Sequence, residues 1–412
     1  MAKPLGLRND ITIRSISEKS TAYFVLIVVI AALPAFIEGL DGSLFAFAAP
    51  YIVQNIHAST AMLGVLATGY AIGLCLFSLL GGFLFNKFSV KYTILSSVAL
   101  FSVFTVVSGF AGNVITLVLS RLLVGLGIGM FQPAIIALLG DIFPETRGRT
   151  VSVFNVTYGA GIFVAPYTIS PFLPHFRIPF VITGILAGFV ILAFYLVIPK
   201  THKNIEKQHS ISIKGIMNKN VCVLSISNLF YGITLFGFLA FYSEYLLKEL
   251  LIHPVQAGTI SAMVGLGGAL GSYPLGVLAD KFGRKRIVIL SAFLVLLASV
   301  GMFGVGQSIV LLCISTFLFG LGIGFPAFVA AQGQDSVSEH LAGVVTGWLF
   351  FAFLGGGILG GPLFAAFLPM GFTKAGLLTL GVSSLLSFVF TLFTNREIQT
   401  SAESKYILTS NR

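Results

Sequence analysis

The chain has 412 residues, of which 56% are hydrophobic and only 9% charged. So few charges cannot coat a water-facing surface, which excludes a soluble domain and makes lipid the solvent for most of the chain. The net charge of +10 does not imply a nucleic-acid partner, because the basic residues are sorted along the chain rather than gathered in one patch.

A polar arm, residues 1–20, precedes the first apolar run. Twelve runs long enough to cross a hydrocarbon core of roughly 30 Å then follow. They cover 21–49, 60–85, 92–112, 114–140, 150–171 and 178–198, then 221–246, 256–279, 286–305, 308–334, 342–368 and 373–394. The segment 199–220, rich in Lys, His and Ser, reads as a central loop, and 395–412 as a polar tail. The expected fold is therefore an all-α membrane protein of twelve transmembrane helices, in two six-helix bundles spanning 21–198 and 221–394. The first run has no small-residue cleavage site and reads as a retained helix.

Lys and Arg crowd the N-terminal arm, the central loop, the tail and every second turn, whereas the opposite side carries only Arg177, Lys248 and Lys374. This asymmetry places both termini in the cytoplasm of a multi-pass plasma-membrane protein. Cys75, Cys222 and Cys313 are far apart and lack metal-ligand spacing, so neither a metal nor a cofactor is expected. The six histidines fall in loops or at span ends, which leaves no buried histidine relay.

The two halves resemble each other at an offset of about 195 residues. Gly125-Leu-Gly-Ile-Gly129 returns as Gly320-Leu-Gly-Ile-Gly324, and Ala165-Pro166 as Gly361-Pro362. Asp141 and Glu145 correspond to Asp335 and Glu339, and the turn at Gly82 to that at Gly276. Two bundles of like topology follow, with glycine motifs such as Gly265–Gly271 and Gly355–Gly361 allowing close helix approach, and Pro166 and Pro362 able to kink their helices.

The loop after the eighth run, Gly276-Val-Leu-Ala-Asp280-Lys-Phe-Gly283-Arg284-Lys285-Arg286, is similar to the G-x-L-x-D-x-x-G-R-K-x motif of the major facilitator superfamily, which the chain resembles over essentially its whole length. In the first-half copy Asn86 stands where the motif has its acid. Asp141-Ile-Phe-Pro144-Glu-Thr-Arg147-Gly148-Arg149 is similar to a second cytoplasmic turn of that family, and Arg121-Leu-Leu-Val-Gly125 to its R-x-x-x-G element. Gly161-Ile-Phe-Val-Ala165-Pro166 matches the G-x-x-x-G-P run of proton-driven exporters but for one glycine. The resemblance implies a secondary transporter working by alternating access.

Glu38 and Asp41 are the acids expected well inside a run, and Arg121 the only base. A charge at that depth is disfavoured by roughly 2.5–3.5 kcal/mol, and residues three apart share a helix face. Two readings meet here: a structural ion pair that satisfies buried charges, and a proton-coupling group in which a carboxylate alternates between a proton and Arg121. The resemblance favours the second, since sugar porters and aromatic-acid symporters of the family place a first-helix acid and a fourth-helix arginine alike, and Glu38-Gly-Leu-Asp41 is similar to the D-G-x-D run of the latter. The repeat puts Leu235 and Thr316 opposite Asp41 and Arg121, so coupling belongs to the first bundle alone. Substrate contacts are expected from Gln132, Asn155, Tyr158, Asn228, Tyr231, Gln332 and Trp348, each of which has helix packing as its plain alternative.

The functional expectation is proton-coupled symport of a small metabolite such as an organic or aromatic acid, by a monomer whose partners are substrate, protons and lipid. Proton-antiport export of lipophilic compounds is the alternative, and a non-transporting receptor the alternative from another class. No nucleophile–base or metal constellation suggests an enzyme.

Overall fold

The computed structural model describes residues 21–87, 89–142, 147–173, 175–198, 217–338 and 341–395. Every regular element among them is helical. A helix satisfies its backbone N–H and C=O groups within one segment, as hydrocarbon demands of a spanning chain. The first six helices are α1 (Thr21–Asn55), α2 (Met62–Lys87), α3 (Val90–Gly109), α4 (Val114–Ile142), α5 (Arg147–Ile169) and α6 (Arg177–Val197). The next six are α7 (Lys219–Glu249), α8 (Pro254–Phe282), α9 (Arg284–Gly304), α10 (Ile309–Gln334), α11 (Ala342–Phe367) and α12 (Phe372–Leu392).

Ten of these helices are long and apolar enough to cross a membrane; α2 and α5 are the others. In α2 the apolar stretch among the described residues is Met62–Phe77. α5 opens on Arg147 and Arg149 and carries Asn155, Thr157 and Tyr158.

The structure corrects two of the expected spans. The tenth is not one regular helix: α10 is interrupted between Leu321 and Phe325 and restarts with Pro326 in its first turn. Proline lacks the N–H an interior position must donate but is tolerated in a first turn, and Gly322 and Gly324 lie within the break ahead of it. The seventh extends past its expected end at 246 through a π-helical turn, Tyr245–Glu249.

The packing repeats when six is added to each helix number. α1 packs on α5 and α6 as α7 packs on α11 and α12; α4 packs on α2 and α3 as α10 packs on α8 and α9; α3 meets α6 as α9 meets α12. Matching glycines make these approaches close. A Cβ on Gly125 would lie 2.1 Å from the Tyr70 carbonyl of α2, and one on Gly320 would lie 2.2 Å from the Val264 carbonyl of α8. The first residues of α3 and α9 act alike too, Lys91 donating to the Tyr195 carbonyl at the end of α6 and Lys285 to the Thr394 carbonyl beyond α12.

Helices α1–α6 meet α7–α12 along two principal seams, α2 on α11 and α5 on α8. Gly64 and Gly361 touch through their backbones in the first, where Thr68 Oγ1 also donates to the Ile358 carbonyl at 3.0 Å. Gly159 and Gly265 touch in the second. At the end of α1, Gln54 accepts from Lys248 Nζ of α7 at 2.9 Å, and Thr60 Oγ1 lies 3.5 Å from Glu244 Oε1.

Candidate functional site

Between the two sets of helices lies a cavity of about 240 Å³, walled by α1, α2, α4 and α5 on one side and by α7, α8, α10 and α11 on the other. Its surface is mostly aliphatic and aromatic, with Phe236, Phe238, Phe350 and Phe353 contributed by α7 and α11. The polar groups reaching it from α1–α6 include Glu38, Ser43, Tyr70, Arg121, Gln132, Asn155 and Tyr158.

The helix α1 places Glu38 and Asp41 one turn apart, 2% and 1% exposed. They face different neighbours. Glu38 lines the cavity and its Oε1 accepts from Gln132 Nε2 of α4 at 2.7 Å. Asp41 is set behind the wall, where its Oδ1 accepts from the Thr105 hydroxyl of α3. The second oxygen of each carboxyl group, Glu38 Oε2 and Asp41 Oδ2, is buried without a hydrogen-bond partner among the described residues. Burying such an atom unsatisfied costs about 1–3 kcal/mol, more when it carries charge.

Arg121, on α4, is 3% exposed and also lines the cavity. Its guanidinium carbon lies 3.8 Å from the centroid of the Phe45 ring and 5.3 Å from that of Tyr70. Desolvated contacts of this kind contribute roughly 2 kcal/mol or more, which helps explain a buried cation there. Among the described residues, Arg121 Nη1 has no hydrogen-bond partner and no ion pair joins Arg121 to either carboxylate. The structure thus buries Glu38 and Arg121 in the cavity wall and Asp41 behind it, without a salt bridge among these three residues.

Three of the expected substrate-contact residues, Gln132, Asn155 and Tyr158, line the cavity. The other four do not, and three of them have packing partners instead. Asn228 Nδ2 donates to the Leu349 carbonyl at 2.8 Å, Tyr231 OH to the Ile323 carbonyl at 3.4 Å, and Trp348 Nε1 to Ser225 Oγ at 2.9 Å. Gln332 is buried away from the cavity with neither amide atom partnered. At Leu235 and Thr316, the repeat counterparts of Asp41 and Arg121, the site is uncharged: Leu235 lines the wall and Thr316 pairs with the Tyr242 hydroxyl at 2.9 Å.

A third buried acid, Glu244, lies towards the end of α7 rather than deep within a helix as Glu38 and Asp41 do. It is 7% exposed near the end of α7, with Oε2 unpartnered. Thr105 and Tyr70 also went unread in the sequence. Their signal was a polar or amphipathic group inside an apolar helix; in α3 Thr105 is joined on the buried side by Ser97 and Ser108.

Among the motif residues, Gly283 joins α8 to α9 at φ 92°, a conformation that favours glycine. Arg284 Nη1 pairs with Asp335 Oδ1 at 2.6 Å and with the Ala331 carbonyl at 2.8 Å, tying the start of α9 to the end of α10. A side chain on Gly276 would meet open space. Pro166 lies inside α5 with its carbonyl near Gly258 of α8, and Pro362 inside α11 near Gly64 of α2. Gly161, from the exporter-like run, packs on the Phe36 carbonyl of α1, 2.2 Å from where its Cβ would stand. Gly82, Asn86, Asp141, Arg147 and Arg149 lie on described helices, as does Asp280, but their side-chain positions lie outside the described residues, and Glu145 and Glu339 lie outside them altogether.

Similarity to known proteins agrees with this architecture. The chain is 25% identical over 366 residues to a hexuronate transporter of Bacillus subtilis, covering 82% of this chain and 86% of that protein. It is 26% identical over 408 residues to the 4-hydroxybenzoate transporter PcaK of Pseudomonas aeruginosa, covering 86% and 88%. A point variant of the nucleoside transporter NupG shares the fold, with a TM-score of 0.75 at 15% identity over 90% of this chain and 100% of that one. The sequence profile of the Major Facilitator Superfamily matches residues 31–220 and again 224–408, so the chain belongs to that superfamily of membrane transporters.

Proposed function

We propose that the protein is a proton-coupled symporter of a small organic acid, with an aromatic monocarboxylate as the favoured substrate. The observation that carries this reading is the pair of buried carboxyl groups, Glu38 and Asp41, beside a central cavity that also exposes an unpaired arginine. A carboxyl group in a dry site is stable when protonated and becomes tolerable as an anion when a cation approaches, so its proton affinity follows conformation. The named substrates of two relatives, hexuronate and 4-hydroxybenzoate, both carry a carboxylate, and the aromatic walls suit the second.

In this reading the chain crosses the plasma membrane twelve times as a monomer, with bundles 21–198 and 221–394 rocking about the cavity and both termini in the cytoplasm. The contacts between bundles at Gln54–Lys248, Thr60–Glu244 and Gly64–Gly361 then belong to the outer side, and the conformation is sealed outward. In vesicles with an acid exterior, 4-hydroxybenzoate accumulates, and a protonophore abolishes the accumulation. Net loss of substrate from loaded vesicles under the same gradient indicates export instead, and binding without movement indicates a receptor.

A further inference from the structure

The run Asp280–Arg286, at the turn from α8 to α9, holds four basic residues and one acid. Two of the bases are engaged within the protein, Arg284 with Asp335 and the Ala331 carbonyl, and Lys285 with the Thr394 carbonyl. Lys281 and Arg286, on either side of the turn, are exposed instead. Each continues an exposed apolar stripe at helical spacing. On α8 the stripe is Leu270, Tyr273 and Val277, which leads to Lys281, and on α9 it is Leu290, Phe293 and Leu297, which starts from Arg286. The two helix ends hold each other through a separate buried cluster of Leu275, Ala279 and Ile287. From its basic residue each stripe runs roughly 16 Å along its helix, about half the thickness of a hydrocarbon core and so the depth of one leaflet. The first bundle departs from this pattern, since Tyr92 stands where the repeat that matches Lys91 to Lys285 would put Arg286.

We propose that this outer face of α8 and α9 binds one anionic phospholipid, with its phosphate between Lys281 and Arg286 and its acyl chains along the two stripes. Any lipid covers apolar surface, but in a zwitterionic one the headgroup ammonium offsets the phosphate. A lipid with net negative charge is drawn by both cations, each basic residue near the surface favouring it about fivefold. Arg286 offers a planar guanidinium that matches phosphate oxygens, and Lys281 a point charge on a flexible stem. Such side chains rest their stems on apolar surface and keep their heads among headgroups. Lys281 does so here, with Nζ 5.4 Å from the centroid of the exposed Phe282 ring. Arg284 and Lys285 tie the turn to α10 and to the end of α12, so the two exposed cations stand on a fixed platform. The topology proposed above makes the leaflet cytoplasmic; lipid binding depends neither on that orientation nor on the transported compound.

The test is native mass spectrometry of the delipidated full-length protein, titrated with dioleoyl phosphatidylglycerol or with dioleoyl phosphatidylcholine, which share their acyl chains. The wild type takes up one phosphatidylglycerol in preference to phosphatidylcholine. Lys281→Gln together with Arg286→Gln weakens that first phosphatidylglycerol step by about tenfold to thirtyfold, the loss expected for two surface charges. Phosphatidylcholine binding and thermal stability stay at the wild-type level, and Arg286→Lys, which keeps the charge, keeps the preference. Arg177→Gln with Lys374→Gln removes as much charge from the opposite side and leaves the preference unchanged. Equal affinity for the two lipids, an equal loss in both double variants, or displacement of the lipid by excess glycerol phosphate, the headgroup without its chains, overturns the site. Uptake plays no part in this measurement, so failure of the symport reading and failure of the lipid site are told apart.

Discussion

Asp41 has one hydrogen-bond donor, the hydroxyl of Thr105, and that single contact sets how the residue behaves when charged. Thr105→Val keeps the shape of the side chain and removes the donor, so the folded protein with ionised Asp41 loses about 1–3 kcal/mol. The loss appears as lower thermal stability in detergent near neutral pH, and it shrinks in acid, where a protonated carboxyl group needs less help; stability equal to the wild type at both pH values contradicts the assignment. Glu38, Asp41 and Arg121 were legible in the sequence because a charge in an apolar run is rare and needs a reason. Thr105 and Tyr70 were not, since Thr and Tyr occur throughout apolar helices as packing residues. Asn228, Tyr231, Gln332 and Trp348 passed for cavity residues for the converse reason: their polarity was visible, but the helix face they occupy is decided by α10 and α11 packing on α7.

The helices were legible from length and apolarity, and their ends less so. The break in α10 is a local event, fixed by Gly322, Gly324 and Pro326 within a stretch that is apolar throughout, so hydropathy alone reads one span across it. The π-turn at Tyr245–Glu249 likewise leaves no mark in composition, yet it carries Glu244 and Lys248 to the end of α1. Lys248 over the Tyr51 ring, 5.7 Å from its centroid, and its bond to Gln54 form a polar seal between α7 and α1. With Cys75, Cys222 and Cys313 replaced, joining Gln54→Cys to Lys248→Cys by a short bismaleimide stops uptake while ligand binding in detergent survives. Uptake that continues with the link in place shows that these helix ends do not separate during transport.

For the molecule as a whole, the repeat seen in the sequence returns as a packing scheme in which the principal helix contacts in α1–α6 have counterparts in α7–α12. Charge does not follow that symmetry, because Leu235 and Thr316 stand where Asp41 and Arg121 have their counterparts. Under the proposed function, two similar bundles give a movable frame, and one charged centre gives that movement a dependence on protons. The most direct measurement is uptake of 4-hydroxybenzoate into proteoliposomes by the Glu38→Gln, Asp41→Asn double variant, under an acid-outside gradient and, separately, as exchange without a gradient. The account predicts that accumulation against the gradient disappears while exchange continues. Accumulation at the wild-type level in that variant contradicts it.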